Sequence, residues 1–169
     1  HATGLNQIIA QSGTPKGSLY YYFPQGKEEL AEEAVTRSAR IVAERIRNTL
    51  AMIENPAEAV RSFIQQIAYH VEASGFSAGG PLTAVALETV NSSERLNLAC
   101  RAAYQDLQDA FKEKLVASGY TEERARQIAM FIISSIEGGI ILSRTYHNAD
   151  TLRQVAVELG LFIQTMPKA

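Results

Sequence analysis

The chain has 169 residues, of which 46% are hydrophobic and 20% charged, a composition typical of a globular protein large enough to bury a core. Its net charge of −2 gives no support to nonspecific nucleic-acid binding, and no run of residues reads as long and apolar enough to cross a membrane. The single cysteine, Cys100, excludes an internal disulfide framework and a cysteine-based zinc site, and it fits a cytoplasmic location.

The chain begins with the pattern of a short amphipathic helix. Leu5, Ile8 and Ile9 share one helical face over residues 3–12. The hydroxyl of Thr3 can cap the first turn of this helix.

A second short helix follows after a tight turn. Gly13 suits the left-handed residue that ends a helix, Thr14 is a good N-cap, and Pro15 fits the first helical position. The predicted helix covers residues 15–22. Two helices joined in this way are typical of a helix-turn-helix motif, in which the second helix enters the major groove of DNA.

Aromatic side chains dominate the second helix. Leu19 and Phe23 are four residues apart and can anchor it to a core, while Tyr20, Tyr21 and Tyr22 fan around its other faces. Core helices are rarely so short or so rich in polar-tipped aromatics, so we expect this helix to contact a partner.

The rest of the chain has apolar residues at steps of three and four, which predicts helices throughout. A flexible loop rich in glycine and serine interrupts them at residues 74–80. Since no alternating strand pattern is visible, the predicted fold class is all-α. The predicted helices cover residues 27–53, 57–73, 81–91, 93–118, 121–146 and 150–165.

Residues 128–142 are apolar around most of the helix circumference, which indicates burial on more than one side. One interpretation is a central core helix. The other is a helix with one face toward the core and another toward a partner subunit. Gly138 and Gly139 are costly in mid-helix unless close helix contact compensates.

The sequence Gly-Thr-Pro-Lys-Gly-Ser-Leu-Tyr-Tyr-Tyr-Phe-Pro, followed by Lys27-Glu28-Glu29-Leu30, resembles the DNA-binding signature of the TetR family of transcriptional repressors. It is most similar to the branch that includes repressors of lincomycin-type multidrug-resistance genes. The family motif also has a helix before residue 3, so we expect that the given chain omits part of the motif.

The resemblance implies a partial helix-turn-helix domain at residues 1–30 and a helical ligand-binding and dimerisation domain at residues 31–169. It further implies a homodimer through residues 121–166 that binds a palindromic double-stranded operator, most often as a repressor. A small hydrophobic effector would release the DNA. No metal, cofactor, catalytic residue or membrane partner is predicted.

Four residues are predicted to hold the DNA backbone. Lys16 and Lys27 can bind phosphates, Tyr20 occupies the family's phosphate-contacting position, and Thr3 can add a phosphate contact. The alternatives are solvated lysines and a half-buried core tyrosine.

The remaining predicted DNA contacts lie along the second helix and its cap. Thr14, Ser18, Tyr21 and Tyr22 are candidates for base-edge or sugar contacts, because these side chains can offer hydroxyls and tyrosine can also pack on a thymine methyl. Gly17 would let the helix backbone approach the duplex closely.

The effector pocket implied by the resemblance lies among residues 50–142, and loop 74–80 could control entry to it. Glu137 is a polar residue that could orient the effector, and a planar hydrophobic compound is the class that the resemblance suggests. For each candidate contact, a place in the ordinary core is the alternative. The candidates are Phe63, Ile67, His70, Phe76, Leu87, Tyr104, Phe111 and Phe131.

Two other function classes stay open from the residues. A helical enzyme has little support, because the three histidines form no local metal motif and Cys100 lies on an apolar stripe that favours a buried, inert thiol. A protein-interaction scaffold without DNA-binding activity would explain residues 128–142 but not the Thr-Pro-Lys-Gly segment.

Overall fold

The computed structural model describes residues 5–13, 15–89 and 92–168, so Thr3 and Thr14 lie outside the described residues. The described residues are helical with short connections, and the predicted all-α class is confirmed. Each observed helix ends within two residues of its predicted bounds. The helices are α1 Leu5–Ser12, α2 Lys16–Tyr22, α3 Lys27–Ala51, α4 Pro56–Ala73, α5 Pro81–Thr89, α6 Glu94–Ala117, α7 Glu122–Tyr146 and α8 Asp150–Thr165.

Local capping explains where the long helices begin. The side chain of Asn55 accepts hydrogen bonds from two backbone N–H groups in the first turn of α4, and Ser93 and Thr121 each accept one at the starts of α6 and α7. Pro15 takes the N-cap position of α2 and not the predicted first helical position. The difference is one residue, because the extended backbone of Pro15 only leads into the helix.

The main core lies among α3, α4, α6, α7 and α8. Its centre includes the edge-to-face pair of Phe63 and Phe111, whose ring centroids are 5.6 Å apart. A second, smaller cluster joins α3, α5 and α6 around Cys100, which is 3% exposed. Burial raises the pKa of the Cys100 thiol, which agrees with the predicted inert role.

Helix α7 corrects the expectation that no run is long and apolar enough to cross a membrane. Its 25 residues contain a window of mean hydropathy 1.4, which meets that test by length and composition only. In the structure 39% of that window is buried. Its Ile128 and Ile132 pack in the main core, so α7 is a core helix with a second apolar side facing outward.

The two glycines of α7 differ in their surroundings. A Cβ atom added at Gly139 would lie 2.8 Å from Cδ2 of Leu152, so the close approach of α7 and α8 requires glycine there. A Cβ atom added at Gly138 would meet nothing within 4 Å. Close helix contact within the chain therefore accounts for Gly139 but not for Gly138.

Candidate DNA-binding interface and effector region

The helix pair formed by α1 and α2 has the predicted turn between them. Gly13 has φ of +66°, the left-handed conformation expected after α1. The carbonyl of Pro15 accepts a 3.0 Å hydrogen bond from the Ser18 N–H, and the Phe23 N–H donates to the Leu19 carbonyl at 2.8 Å. Leu19 is buried and Phe23 half-buried, which is the burial that their predicted anchoring role requires.

The outer face of α2 is open. Tyr20, Tyr21 and Tyr22 are 46%, 81% and 70% exposed, and the rings of Tyr21 and Tyr22 meet edge to face with centroids 5.2 Å apart. Gly17 is exposed, and a Cβ atom added there would meet none of the described atoms within 4 Å. The three tyrosines and Gly17 thus form a surface that a duplex can reach, while Ser18 is half-buried beside them.

The two predicted lysine contacts begin helices. Lys27 is exposed at the start of α3, while the side chain of Lys16 lies outside the described part of the structure. Gly26, with φ of +79°, precedes α3, and the Gln25 N–H donates a 2.8 Å hydrogen bond to Oε2 of Glu29. The turn between α2 and α3 is therefore tied to the first turn of α3.

Helix α3 connects this interface to the rest of the protein, and α6 holds it at two places. Near its end, Arg47 donates to Glu113 at 2.8 Å and to Asp106 at 3.2 Å, and these carboxylates raise the pKa of the guanidinium. Near its start, Glu32 accepts a 2.5 Å hydrogen bond from Nε of Arg95 on α6. The contact of Arg95 is one that the sequence pattern did not reveal.

An open groove of about 630 Å³ lies beside Arg95, between the end of α2, the first half of α3 and the start of α6. Aromatic side chains from the end of α2 and acidic side chains from α3 line it. The lining residues are Tyr22, Phe23, Glu29, Glu32, Glu33, Thr36 and Arg95.

A polar cluster lies where α5, α6 and α7 meet. The hydroxyls of Thr83 and Tyr104 are 3.2 Å apart, and the Thr83 hydroxyl donates to the carboxylate of Glu137. Burial raises the pKa of Glu137 and of Tyr104. Among the described residues no cation forms an ion pair with Glu137. In the described part of the chain, the hydroxyls of Thr83 and Tyr104 are the hydrogen-bond partners of this carboxyl group.

Loop 74–80 lies against the same side of α7. Nε of Arg144 donates to the Phe76 carbonyl at 3.2 Å, and the Phe76 and His147 rings meet edge to face at 5.6 Å. A Cβ atom added at Gly79 would lie 2.6 Å from Arg144, and one at Gly80 would lie 3.1 Å from Glu137. The loop therefore lies close to α7 at both glycines, and a larger residue at either position would require the side chain of Arg144 or Glu137 to shift.

The predicted effector contacts separate into two groups. Phe63 and Phe111 are in the main core, with Ile67, Phe76 and Tyr104 partly buried against it. The others are on the surface: His70, Leu87 and Phe131, of which Leu87 is 71% exposed. Sequence reasoning missed Thr83 and Arg144, whose types and positions carry no local signal for a site.

The outward side of α7 and α8 carries an apolar surface. The rings of Phe131 and Phe162 meet at 5.2 Å and line a groove of about 470 Å³ with Val155 and Leu159. Several large apolar side chains nearby in sequence are 42–51% exposed. These are Met130, Phe131, Ile141, Leu142 and Leu161.

Comparison with known proteins identifies the fold and the family. Residues 1–34 match the family model described as bacterial regulatory proteins, tetR family, and residues 56–158 match the LmrA/YxaF-like transcriptional regulator C-terminal domain. The chain belongs to the TetR family. The enzyme alternative is rejected, since both families consist of transcriptional regulators.

Relatives span most of this TetR-family chain. The uncharacterized HTH-type regulator YxaF of Bacillus subtilis is 40% identical to this chain, and the match covers 97% of this chain and 86% of YxaF. The HTH-type regulator LmrA of the same organism is 38% identical, and the match covers 92% of this chain and 83% of LmrA. The crystal structure of a TetR transcriptional regulator from Chloroflexus aurantiacus superposes with a TM-score of 0.79 and 25% identity, covering 98% of this chain and 86% of that one.

Proposed function

We propose that this TetR-family regulator is a ligand-responsive repressor that binds a palindromic operator as a homodimer and is released by a small hydrophobic molecule. The observation that carries the proposal is the exposed face of α2. Leu19 and Phe23 hold that helix from behind while its three tyrosines and Gly17 face outward. We assign DNA binding to residues 1–30, effector binding and dimerisation to residues 31–169, and the cytoplasm as location.

Tyr20, Tyr21 and Tyr22 carry exposed rings and Tyr21 and Tyr22 pack edge to face on each other, so this face of α2 is well suited to contact an external partner. Tyr20 is the least exposed of the three and would fix α2 on the phosphate backbone. Tyr21 and Tyr22 are more exposed and would read base edges. Lys27, together with Lys16 at the start of α2, would contribute counterion release, which makes binding weaker at higher salt.

The test is operator binding measured by fluorescence anisotropy, with a duplex selected from a random-sequence library. Tyr20→Ala and Tyr21→Ala are expected to weaken binding at least tenfold without changing the melting temperature. Tyr69→Ala is the matched control, because Tyr69 is 73% exposed on α4, away from the helix pair in sequence. Unchanged binding by both α2 variants would reject the assignment.

The apolar side of α7 and α8 supports the proposed homodimer through residues 121–166. A contiguous exposed apolar surface is uncommon on a monomeric protein and marks an interaction site. A two-fold contact there would place two α2 helices on one duplex, which suits a palindrome.

Leu161→Glu is expected to convert a dimer into a monomer, because it places a charge in the apolar contact. Met52→Glu is the control, since Met52 is 84% exposed outside this surface in sequence. Light scattering after size-exclusion chromatography measures both masses. A monomeric mass for the unmodified protein would reject the proposed dimer.

Effector binding is proposed for the region where α5, α6 and α7 meet loop 74–80. Its support is the combination of aromatic side chains, such as Tyr104 and Phe76, with the Glu137 carboxylate that lies beneath loop 74–80. An effector bound there would move the helix that starts at Lys27 and change the spacing of the two α2 helices. This requires different effector affinities in the two dimer shapes.

A panel of planar aromatic compounds tests the proposal through release of fluorescent operator DNA. For any compound that releases DNA, Tyr104→Ala is expected to raise the concentration required. Tyr146→Ala is the control, because Tyr146 is 66% exposed on α7. Equal sensitivity of both variants would place effector binding elsewhere.

A further inference from the structure

Arg95 joins the helix pair to the helices that follow α3. It lies in the first turn of α6, two residues after the Ser93 cap. Its Nε donates to Oε2 of Glu32 on α3, 63 residues away in sequence, and its Nη1 donates to the side-chain oxygen of Gln25, 70 residues away. One guanidinium thus holds both α3 and the turn that follows α2.

The turn held by Arg95 is itself tied to α3. Gln25 lies between the end of α2 and the start of α3, and its N–H donates to Glu29 at 2.8 Å. A displacement of Arg95 would therefore act on the turn and on the first part of α3 together. Tyr22, an exposed residue of the proposed DNA surface, lines the groove beside Arg95.

Helix α3 can act as a lever because its two ends are held differently. Ile46 and Leu50 are 1% exposed in the main core, and Arg47 adds ion pairs to α6 at that end. The opposite end borders the open groove at Arg95.

Val35 and Ala39 are also buried against α6, so the part of α3 that can tilt begins before Val35. Val35 and Lys27 are separated by roughly 12 Å of helix at 1.5 Å per residue, so a tilt of about 10° about Val35 would move Lys27 by about 2 Å. Such a shift exceeds the tolerance of a hydrogen bond to a base or phosphate.

The ion pair itself is a minor source of stability. The side chains of Arg95 and Glu32 are 31% and 38% exposed, and pairs of this exposure contribute little to folding. The contact is therefore better suited to setting an orientation than to holding the fold together.

We propose that Arg95 is a positioning residue for DNA binding, which fixes α2 and the start of α3 on α6 through Gln25 and Glu32. The proposal rests on the proposed function. The arrangement seen here is the one that favours operator binding, since it holds α2 before the duplex arrives and so lowers the ordering cost of binding.

The test compares operator affinities by fluorescence anisotropy on the selected duplex. Arg95→Ala is expected to weaken binding about two- to thirtyfold, from the ordinary contribution of an exposed ion pair that acts twice per dimer. Arg95→Lys keeps the charge but loses the fork that reaches Gln25 and Glu32 together, so it should fall between Arg95→Ala and the unmodified protein. The double variant Arg95→Glu with Glu32→Arg exchanges the two charges, so it is expected to recover part of the operator affinity that Arg95→Ala loses.

Arg153→Ala is the matched control. Arg153 makes an ion pair of the same 2.5 Å length with Glu72, but between α8 and α4, and its removal is expected to leave operator affinity unchanged. Hydrogen exchange of peptides covering residues 5–23 should rise in Arg95→Ala and not in Arg153→Ala.

Unchanged or tighter operator binding by Arg95→Ala would overturn the proposal, and so would an equal loss in Arg153→Ala. If Arg95→Ala does not fold, operator binding by Arg95→Lys tests the proposal instead, and unchanged affinity in that variant would overturn it. Failure of the unmodified protein to bind any selected duplex is a separate result, because it would reject the proposed function before any variant is compared.

Discussion

Gly17→Ala is expected to separate DNA binding from folding. Gly17 is in the first turn of α2, and an added Cβ atom would meet nothing within 4 Å. Alanine favours a helix over glycine by up to about 1 kcal/mol, so the variant should be as stable as the original or more so. For a protein of this size, 1 kcal/mol raises the melting temperature by about 2–4 °C.

The same methyl group is expected to weaken operator binding at least tenfold, or by about 1.4 kcal/mol. The reason is that it would stand on the face of α2 that approaches the duplex. Among the described residues no neighbour lies within 4 Å of the added Cβ atom, so a loss of affinity together with an unchanged or higher melting temperature would locate the requirement for glycine at the DNA.

Thermal unfolding and fluorescence anisotropy on the selected duplex measure the two quantities for Gly17→Ala. Gly160→Ala on α8 is the control, because its Cβ atom would lie 3.5 Å from Cβ of Arg61, an ordinary contact. It should leave operator affinity unchanged. Full affinity in Gly17→Ala would refute the close approach of α2 to DNA, and a drop in its melting temperature would refute the open surroundings of Gly17.

Three further variants test the fold and the polar cluster. Gly139→Ala should destabilise the protein by about 1–3 kcal/mol in urea unfolding, because its methyl group would overlap the fully buried Leu152; no loss would contradict the close packing of α7 and α8. Tyr120→Phe should cost about 1–2 kcal/mol in the same assay, because it removes the buried 2.7 Å hydrogen bond to the Ile163 carbonyl. Burial raises the folded-state pKa of Glu137, so the folded protein binds more protons than the unfolded chain and loses stability as pH rises from the unfolded pKa through the folded one. Glu137→Gln should remove this loss, so the free energy of unfolding of the variant minus that of the original protein should increase from pH 4 to pH 8. If this difference in free energy stayed constant with pH, the Glu137 carboxylate would be well solvated in the folded protein.

Helix positions followed from the sequence because the signals that start and end helices are local. Gly13 is left-handed at the end of α1, and Thr121 caps α7, as their residue types predict. The burial of Leu19 was also predicted correctly, because a short helix has few apolar residues that can pack in a core. Each of these depends only on residues within one or two turns.

Burial of individual apolar residues was harder to predict, because periodicity shows that a face is apolar but not what covers it. Phe111 and Phe131 were predicted as equivalent candidates for effector contacts. Phe111 is fully buried against Phe63, whereas Phe131 is 49% exposed beside Phe162. The difference depends on which helices pack together, and that information is distributed over the whole chain.

Polar contacts between distant residues left no sequence signal. The Arg95 contacts span 63 and 70 residues, and Thr83 reaches Glu137 over 54. An arginine in the first turn of an amphipathic helix is commonplace, and only the structure shows that it meets Glu32. The residues proposed here to position α2 could therefore not have been selected from the sequence.

The glycine pair of α7 shows where the structure of one chain stops explaining the sequence. Gly139 faces Leu152, but no described atom lies within 4 Å of a Cβ atom added at Gly138. Residues three and four apart on a helix share a face, so Gly138 lies on the side that carries the exposed Ile141 and Leu142. A glycine in mid-helix costs about 1 kcal/mol unless close packing compensates, and Ile141 and Leu142 on that side are left exposed. A second helix packed closely against α7 would account for both features, and in a two-fold dimer α7 of the partner subunit is suited to supply it.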